Sequence, residues 1–225
     1  MILGAMQSHF MPGIGFFGLM KYVDKFVILD DVQFDKRSWQ QRNFFSIAKR
    51  KKYLTVPVLT KGKFSQVIKN VKINYKEKFI IEHLKTIETN YNKKAHFSEI
   101  FPQIKKIYEK EHIYLNDLNN DLIFFIKNYL DIDTEIIFSS NLKVETKKEK
   151  KIDEICNLLG CKHYISTIGS KNYLENLKNT NYQIKYYKIK NLNYKDKIDD
   201  GLCLLDVLFN IGKATSNYLE ECFDI

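Results

Sequence analysis

The chain has little arginine, and this limits what its positive charge can mean. Only three of its 36 basic residues are arginines, namely Arg37, Arg42 and Arg50, although the formal net charge is +9. Lysine, asparagine, isoleucine and tyrosine are abundant, as expected of an AT-rich coding sequence. We therefore interpret much of the charge as compositional, leave open whether any of it is functional, and expect no nucleic-acid partner.

Cysteine is also scarce, and its spacing fits neither a disulfide framework nor a zinc site. The four cysteines are Cys156, Cys161, Cys203 and Cys222. Buried free thiols are the better interpretation, because cysteine behaves as a small apolar side chain in protein cores. We expect no dedicated metal site.

We expect no targeting or membrane-spanning segment at the start of the chain. Residues 1–20 are apolar, but they have no basic beginning, and Gln7, His9 and Pro12 interrupt them. A signal peptide or a spanning helix needs a longer uninterrupted apolar run. We expect a cytoplasmic protein without a transmembrane segment.

Short apolar runs and stretches of helical periodicity alternate along the chain. The predicted strands are residues 2–6, 25–29, 53–58, 67–73, 134–138, 163–167 and 182–189. Helices are predicted at residues 14–22, within 76–130, near 150–159, from Lys171, and near 202–212 and 213–222. Strand, helix and strand within the first thirty residues predict a βαβ unit with parallel pairing.

The predicted fold class is α/β, a largely parallel, Rossmann-like sheet with flanking helices and an all-helical insertion or subdomain. Residues 1–75 would form an N-terminal α/β portion that contains the main motif. Residues 76–130 would form the helical subdomain. Residues 131–225 would form a C-terminal α/β portion that completes the same sheet.

Polar residues follow the first two predicted strands. Gln7, Ser8 and His9 follow the first strand, and Asp30 and Asp31 follow the second. Ligands of open α/β sheets bind beyond the carboxyl ends of the strands, so both loops are predicted to open onto one ligand-binding edge. An imidazole suits general base catalysis at neutral pH, although a lone loop histidine is more often structural.

The adjacent carboxylates need a compensating cation, because their repulsion otherwise raises the pKa of one of them. We expect Lys36, Arg37 and Arg42 to supply the positive charge. Arginine offers a planar fork for phosphate or carboxylate, and Trp39 is costly in a merely solvated loop. The stretch 30–43 therefore predicts a pocket for an anionic, partly planar ligand such as a nucleotide diphosphate. The alternative is a solvated loop whose charges pair with one another.

Two later stretches carry weaker signals. In residues 168–174, Ser170 and Lys171 begin a predicted helix, where free N–H groups and a lysine can bind an anion; simple capping by Ser170 is the alternative. Asp206 and Asn210 lie four residues apart on an apolar helix. They either belong to an internal hydrogen-bond network or line a pocket.

Three N-terminal stretches together resemble the WbqC-like family of bacterial proteins. They are MQSHFMPGIGFF, VDKFVILDDVQFDKRSWQQRN and YLTVPV. The turn from Tyr164 to Tyr173 and the helix LLDVLFN are similar to later family motifs, so the resemblance covers essentially the whole chain. Ser8 and His9 replace the family's usual Pro-Tyr, and Lys195 stands where a Gln is frequent.

This resemblance implies a role in O-antigen or related surface-polysaccharide biosynthesis. It implies an N-acyl or aminoacyl transferase, with glycine as one candidate group, acting on a nucleotide-linked or lipid-linked amino sugar. The candidate catalytic residues are His9, Asp30 and Asp31. The candidate substrate-binding residues are Gln7, Gln33, Lys36, Arg37, Trp39, Arg42, Asn43, Ser170, Lys171, Asp206 and Asn210.

The donor and any cofactor stay open at this point. Acyl-CoA, or an amino acid with ATP, can supply the acyl group, and the two aspartates can share Mg²⁺ with a diphosphate. The expected partner is a nucleotide-sugar small molecule, and a homodimer is possible. The alternative functions are an ATP-dependent ligase or nucleotidyltransferase that activates a carboxylate, and a non-enzymatic sugar-nucleotide binding protein. Gly13 and Phe16 occupy the positions of the HxGH histidines of nucleotidyl-transfer folds, so we do not expect adenylyl transfer by that mechanism.

Overall fold

The computed structural model describes residues 1–177, 180–190 and 201–225. The strands are β1 (Ile2–Gln7), β2 (Lys25–Leu29), β3 (Arg42–Ile47), β4 (Arg50–Thr55), β5 (Glu135–Phe138), β6 (His163–Thr167), β7 (Gln183–Ile189) and β8 (Phe223–Asp224). The α-helices are α1 (Ile14–Tyr22), α2 (Phe79–Tyr91), α3 (Phe97–Tyr108), α4 (Leu115–Tyr129), α5 (Lys148–Leu158), α6 (Lys171–Leu174), α7 (Leu205–Ile211) and α8 (Thr215–Cys222). Lys195 lies outside the described residues.

A six-stranded sheet organises the molecule. Its strand order is β5-β2-β1-β6-β7-β8, and every pairing is parallel except that of the short edge strand β8. The predicted fold class is therefore confirmed. Because β5 pairs with β2, and β2 with β1, the loops that follow these three strands open side by side at one edge.

The first βαβ unit forms as the sequence predicted. Strands β1 and β2 are parallel, with Leu3 opposite Lys25 and Gln7 opposite Leu29, and α1 connects them. Gly4 lets α1 approach the sheet closely, since a Cβ at this position would lie only 3.0 Å from a side-chain carbon of Leu19. A larger residue at position 4 would require the Leu19 side chain to shift.

The sheet separates two apolar cores, because alternate residues of a strand face opposite sides. Val27 packs on one side with residues of α5 such as Ile155, in a smaller core. Phe26 and Ile28 pack on the other side in a larger core that contains α1, α7 and α8. Helices α2, α3 and α4 contribute to this larger core as well. The division of the chain into three segments stays a prediction.

The region between β2 and α2 differs from the predicted arrangement. The hairpin β3–β4 replaces the single strand predicted at 53–58, and a second strand at 67–73 is wrong. Residues 68–70 form a 3₁₀ turn. The backbone N–H groups of Ile68 and Ile73 donate to Val32 and Ile113, which belong to different parts of the chain, so no continuous ladder forms.

The four cysteines are buried and free, as predicted. His83 is buried in α2, where its Nδ1 lies 3.1 Å from the Tyr108 hydroxyl oxygen. Burial lowers the pKa of His83 to about 4, so this histidine is a neutral core residue. In the part of the chain that the structure describes, no helix is long and apolar enough to cross a membrane.

Candidate active site at the carboxyl edge of the sheet

The loops that follow β1 and β2 are tied directly to one another. The Gln40 side-chain amide donates to Gln7 Oε1 at 2.8 Å. The backbone N–H of Phe10 donates to the carbonyl oxygen of Trp39 at 2.9 Å. His9, which precedes Phe10, is therefore held beside the loop that carries Trp39. Both loops open at the same edge, as the sequence predicted.

Buried amides fix the shape of the first loop. Asn43 is buried, and its Nδ2 donates to the carbonyl of Met11 at 2.6 Å. Asn119 of α4 is also buried and donates to the carbonyl of Gln40 at 2.9 Å, with Ser8 Oγ 3.4 Å away. Asn43 is therefore a residue that holds the loop in place, and its amide is already engaged with protein groups.

Asp30 is buried and saturated with hydrogen bonds. Its carboxylate accepts from the backbone N–H of Ser140 at 2.9 Å and from the Ser140 hydroxyl at 2.8 Å. Ser139 Oγ also accepts from the backbone N–H of Asp30. Because these partners follow β5, the neighbouring strand ends fix this carboxylate in place.

Asp31 has a cation that the sequence did not indicate. Lys151 Nζ, on α5, lies 2.9 Å from Asp31 Oδ2 and also donates to the carbonyl of Val144 at 2.7 Å. The other oxygen of Asp31 accepts from Ser139 Oγ. Lys151 is 5% exposed, so the ion pair is largely removed from water. Lys36, Arg37 and Arg42 do not form this pair, and the expectation that they compensate the aspartates is wrong.

His9 has a different environment from the two aspartates. It is partly buried, and its ring centroid lies 5.7 Å from that of Phe16, in the first turn of α1. Desolvation lowers the pKa of His9 to about 4 from the ordinary 6.5. The imidazole is therefore neutral at pH 7. Among the described residues, none is shown to hydrogen-bond to it.

The tip of the loop that follows β2 is exposed and cationic. Gln33, Lys36, Arg37 and Trp39 are all exposed there. Arg37 adopts a left-handed backbone conformation with φ of 59°, and its N–H donates to Gln41 Oε1 at 3.1 Å. This conformation is uncommon for residues other than glycine, and the hydrogen bond to the buried Gln41 side chain stabilises it.

Arg42 packs on an aromatic ring of the hairpin. Its guanidinium carbon lies 3.9 Å from the ring centroid of Tyr53, which itself stacks on Phe44 at 3.8 Å. The ring of Trp39 meets Phe44 edge-on at 5.8 Å. The Nε of Arg42 is buried and has no hydrogen-bond partner among the described residues. Arg42 thus joins an aromatic cluster beside Trp39.

The loop after β6 lacks the predicted capping arrangement. Helix α6 has only four residues, and the Ser170 hydroxyl does not cap it. Ser170 Oγ instead donates to the carbonyl of Thr167 at 2.7 Å and lies 2.7 Å from Ser166 Oγ. Lys171 is exposed, with Glu175 Oε1 3.8 Å from its Nζ. Such a short helix offers little dipole to an anion.

Asp206 belongs to an internal network. It is buried in α7, and its side chain hydrogen-bonds to that of Tyr91 in α2. Burial is the largest cause that raises the pKa of Tyr91, and the interaction with Asp206 raises it further. Asn210 Nδ2 donates to the backbone carbonyl of Asp206. Of the two interpretations of this pair, the structure favours the internal network.

Three residues hold the aspartates but were not among the predicted site residues, namely Ser139, Ser140 and Lys151. The two serines directly follow a predicted strand, as Asp30 does, so their position in the sequence was a usable signal. Nothing in the sequence singles out Lys151 from its lysine-rich surroundings. In the described part of the chain, no group of three or more histidine, cysteine, aspartate or glutamate residues is arranged to hold a metal ion.

Comparison with known proteins identifies one matching family and one relative of similar length. The model of the WbqC-like protein family matches residues 7–218. A Mycobacterium tuberculosis (strain ATCC 25618 / H37Rv) protein, described as "Uncharacterized protein Rv1507c", is 30% identical over 223 residues, which cover 96% of each chain. No solved structure matches the chain.

Proposed function

Because this chain belongs to the WbqC-like protein family, we propose that it is a transferase that acylates the amino group of a nucleotide-linked amino sugar. The product would serve surface-polysaccharide biosynthesis. The acyl or aminoacyl donor is an activated carboxyl group, either a thioester such as acyl-CoA or an amino acid activated with ATP. Glycine is one candidate for the transferred group.

The observation that carries the proposal is the pairing of a neutral imidazole with an exposed aromatic ring. His9 and Trp39 belong to loops that share the Phe10–Trp39 backbone hydrogen bond at the carboxyl edge of a parallel sheet. Trp39 is 43% exposed, so its ring is available to stack on a nucleobase. Lys36 and Arg37 extend into solvent from the same loop and would contact the diphosphate.

The chemistry requires a group that accepts a proton from the attacking amine. The sugar nitrogen donates its lone pair to the acyl carbon, an N–C bond forms, and the leaving group departs with the electrons of its own bond. The nitrogen then loses a proton to the base. His9 is the candidate for this role, because its unprotonated imidazole is held beside the Trp39 loop at the carboxyl edge of the sheet.

Asp30 and Asp31 have a supporting role in this proposal. Their oxygens already accept hydrogen bonds from Ser139, Ser140 and Lys151. A carboxylate with such partners holds a loop more readily than it removes a proton. The pair would keep the second loop in the position from which Trp39 and Arg37 contact the ligand.

A direct assay tests the proposal. Purified protein is incubated with dTDP- and UDP-linked amino sugars and a panel of donors, including acyl-CoA and glycine with ATP. Mass spectrometry of the nucleotide sugar should then show the mass gain of one acyl group. No mass gain with any donor would contradict the proposal.

Two variants separate the proposed roles. His9→Asn should lower the turnover rate by about 100-fold or more, because general base catalysis contributes roughly that factor. His112→Asn is the matched control, since His112 pairs with Asp121 away from the candidate site and should leave turnover unchanged. Equal activity of the two variants would remove His9 from the mechanism.

A further inference from the structure

The positive charge of the chain is concentrated in one segment. Residues 36–76 contain twelve of the 36 basic residues, including all three arginines, and no aspartate or glutamate. The rest of the chain has 24 basic against 27 acidic residues, a net charge of −3. Lysine is common throughout the chain, so it is the lack of acidic residues that sets this segment apart. The net positive charge therefore belongs to one part of the chain.

Two exposed loops of this segment lie side by side. The loop of residues 35–39 carries Lys36, Arg37 and Trp39 next to the exposed Asp35, which lies just outside the segment, and the loop of residues 59–66 carries Lys61, Lys63 and Phe64. Their bases are joined, because the N–H of Phe34 donates to the carbonyl of Gln66 at 2.9 Å and Gln33 forms an antiparallel bridge with Val67. We refer to these two loops together as the basic tip.

The loop of residues 59–66 presents an apolar side chain at its end. Phe64 is 89% exposed, which is the highest exposure among the large hydrophobic residues that the structure describes. Exposed lysines stand at positions 61 and 63, and Gly62 between them has a φ of 73° that a turn requires. Leu59, at the start of the loop, is also 41% exposed. Exposed apolar side chains beside lysines are the combination that interfacial membrane anchors use.

We propose that the basic tip docks onto an anionic lipid membrane surface, with Phe64 inserted at the interface. Lysines and arginines near an anionic bilayer are attracted to its surface potential, and an aromatic side chain adds apolar burial at the headgroup level. This inference does not depend on the acyl-transfer reaction. Because Trp39 belongs to both features, docking would bring the carboxyl edge of the sheet close to the membrane.

Nucleic acid fits the basic tip less well than a membrane. Single-stranded nucleic acid is bound by aromatic rings whose faces are open for stacking. Next to the tip, the guanidinium of Arg42 and the ammonium of Lys51 cover the rings of Tyr53 and Phe44, at 3.9 and 4.7 Å from the centroids. The exposed ring of Trp39 is then a single stacking position and not the row of rings that a nucleic-acid strand uses. Phe64 stands alone at a loop end, which suits insertion between lipid headgroups.

Vesicle binding by the full chain tests the inference. The protein is sedimented with vesicles of phosphatidylcholine, with and without phosphatidylglycerol, at low and at high salt. We expect binding only to the anionic vesicles, with loss at high salt. Phe64→Ser and the double variant Lys61→Ala/Lys63→Ala should each weaken the binding by about tenfold or more.

Matched variants control for general effects. Ile113→Ser removes an apolar side chain that is 64% exposed outside segment 36–76. Lys147→Ala/Lys150→Ala removes two exposed lysines on another part of the chain. Both should bind the vesicles as the unaltered chain does, and circular dichroism should show all four variants folded. Absence of vesicle binding, or equal weakening by the control variants, would overturn the inference. Binding to single-stranded DNA that persists in Phe64→Ser, without vesicle binding, would assign the tip to nucleic acid instead.

Discussion

The loops after β2 and β6 begin at the same edge of the sheet, yet their polar groups are used in opposite ways. In the loop after β2, Asp30 and Asp31 bind groups from residues 139–151, more than a hundred positions away. In the loop after β6, Ser170 bonds to Thr167 and Lys171 lies near Glu175. The polar groups of the loop after β2 bond to distant parts of the fold, whereas those of the loop after β6 bond to residues within the same loop. Polar residues at a strand end thus have different consequences depending on where their partners lie.

The sharpest test of this comparison is to remove one lysine from each loop's ion pair. Lys151→Met leaves Asp31 without its cation in a largely buried position. We expect a loss of about 3–5 kcal/mol in the free energy of unfolding. Lys171→Met breaks an exposed pair and should cost at most about 1 kcal/mol. Urea denaturation measures both values.

The double variant Asp31→Asn/Lys151→Met provides the control. Removing both charges leaves no uncompensated ion, so part of the lost stability should return. A Lys151→Met variant as stable as Lys171→Met would show that the buried pair does not hold the loop. The difference between the two loops would then disappear.

A second test uses pH. The pKa of His9 is about 4 in the folded chain and about 6.5 when unfolded, so below pH 6.5 the unfolded state binds more protons. Stability should therefore fall as pH drops from 6.5 toward 4 and should be independent of His9 above pH 7. Between pH 7 and 5, His9 contributes at most about 2 kcal/mol to the loss in the free energy of unfolding, because the imidazole is only partly buried.

Variants identify the source of this pH dependence. His9→Asn should flatten the fall in stability between pH 7 and 5, measured by urea denaturation at each pH. Ser170→Ala removes no titratable group and should keep the slope of the unaltered chain. His83 has a similarly lowered pKa and contributes the remaining dependence. An unchanged slope in His9→Asn would contradict the lowered pKa.

The smallest effect is expected from single hydrogen bonds. Asn43→Ala removes the buried amide that donates to the carbonyls of Phe10 and Met11 in the loop after β1, and it should cost about 1–3 kcal/mol because these carbonyls lose their donor. Ser170→Ala should cost about 1 kcal/mol or less, because its bonds lie at a partly exposed turn. Thermal unfolding followed by circular dichroism ranks the two. A larger loss of stability for Ser170→Ala than for Asn43→Ala would contradict this ranking.

Much of the sheet could be predicted from the sequence, whereas the region after β2 could not. The strands at 25–29 and 163–167 and the helix at 14–22 have the predicted bounds. The hairpin β3–β4 was missed because its turn has Ala48 and Lys49 at φ of 51° and 60°, without the glycine or asparagine that usually mark such a turn. Residues 67–73 have the composition of a strand, but their N–H and carbonyl groups meet separate segments and no neighbouring strand.

The sequence by itself determined the βαβ order, the position of the polar loops at the carboxyl ends of their strands, and the cationic character of residues 36–42. Those features depend on local periodicity and on the rule that parallel strands end at one edge. Only the tertiary structure decided which groups satisfy Asp30 and Asp31. Their partners follow β5 or lie on α5, and they reach the aspartates because β5 pairs with β2. A contact between residues more than a hundred positions apart depends on the assembled sheet, so no local pattern could have named Lys151.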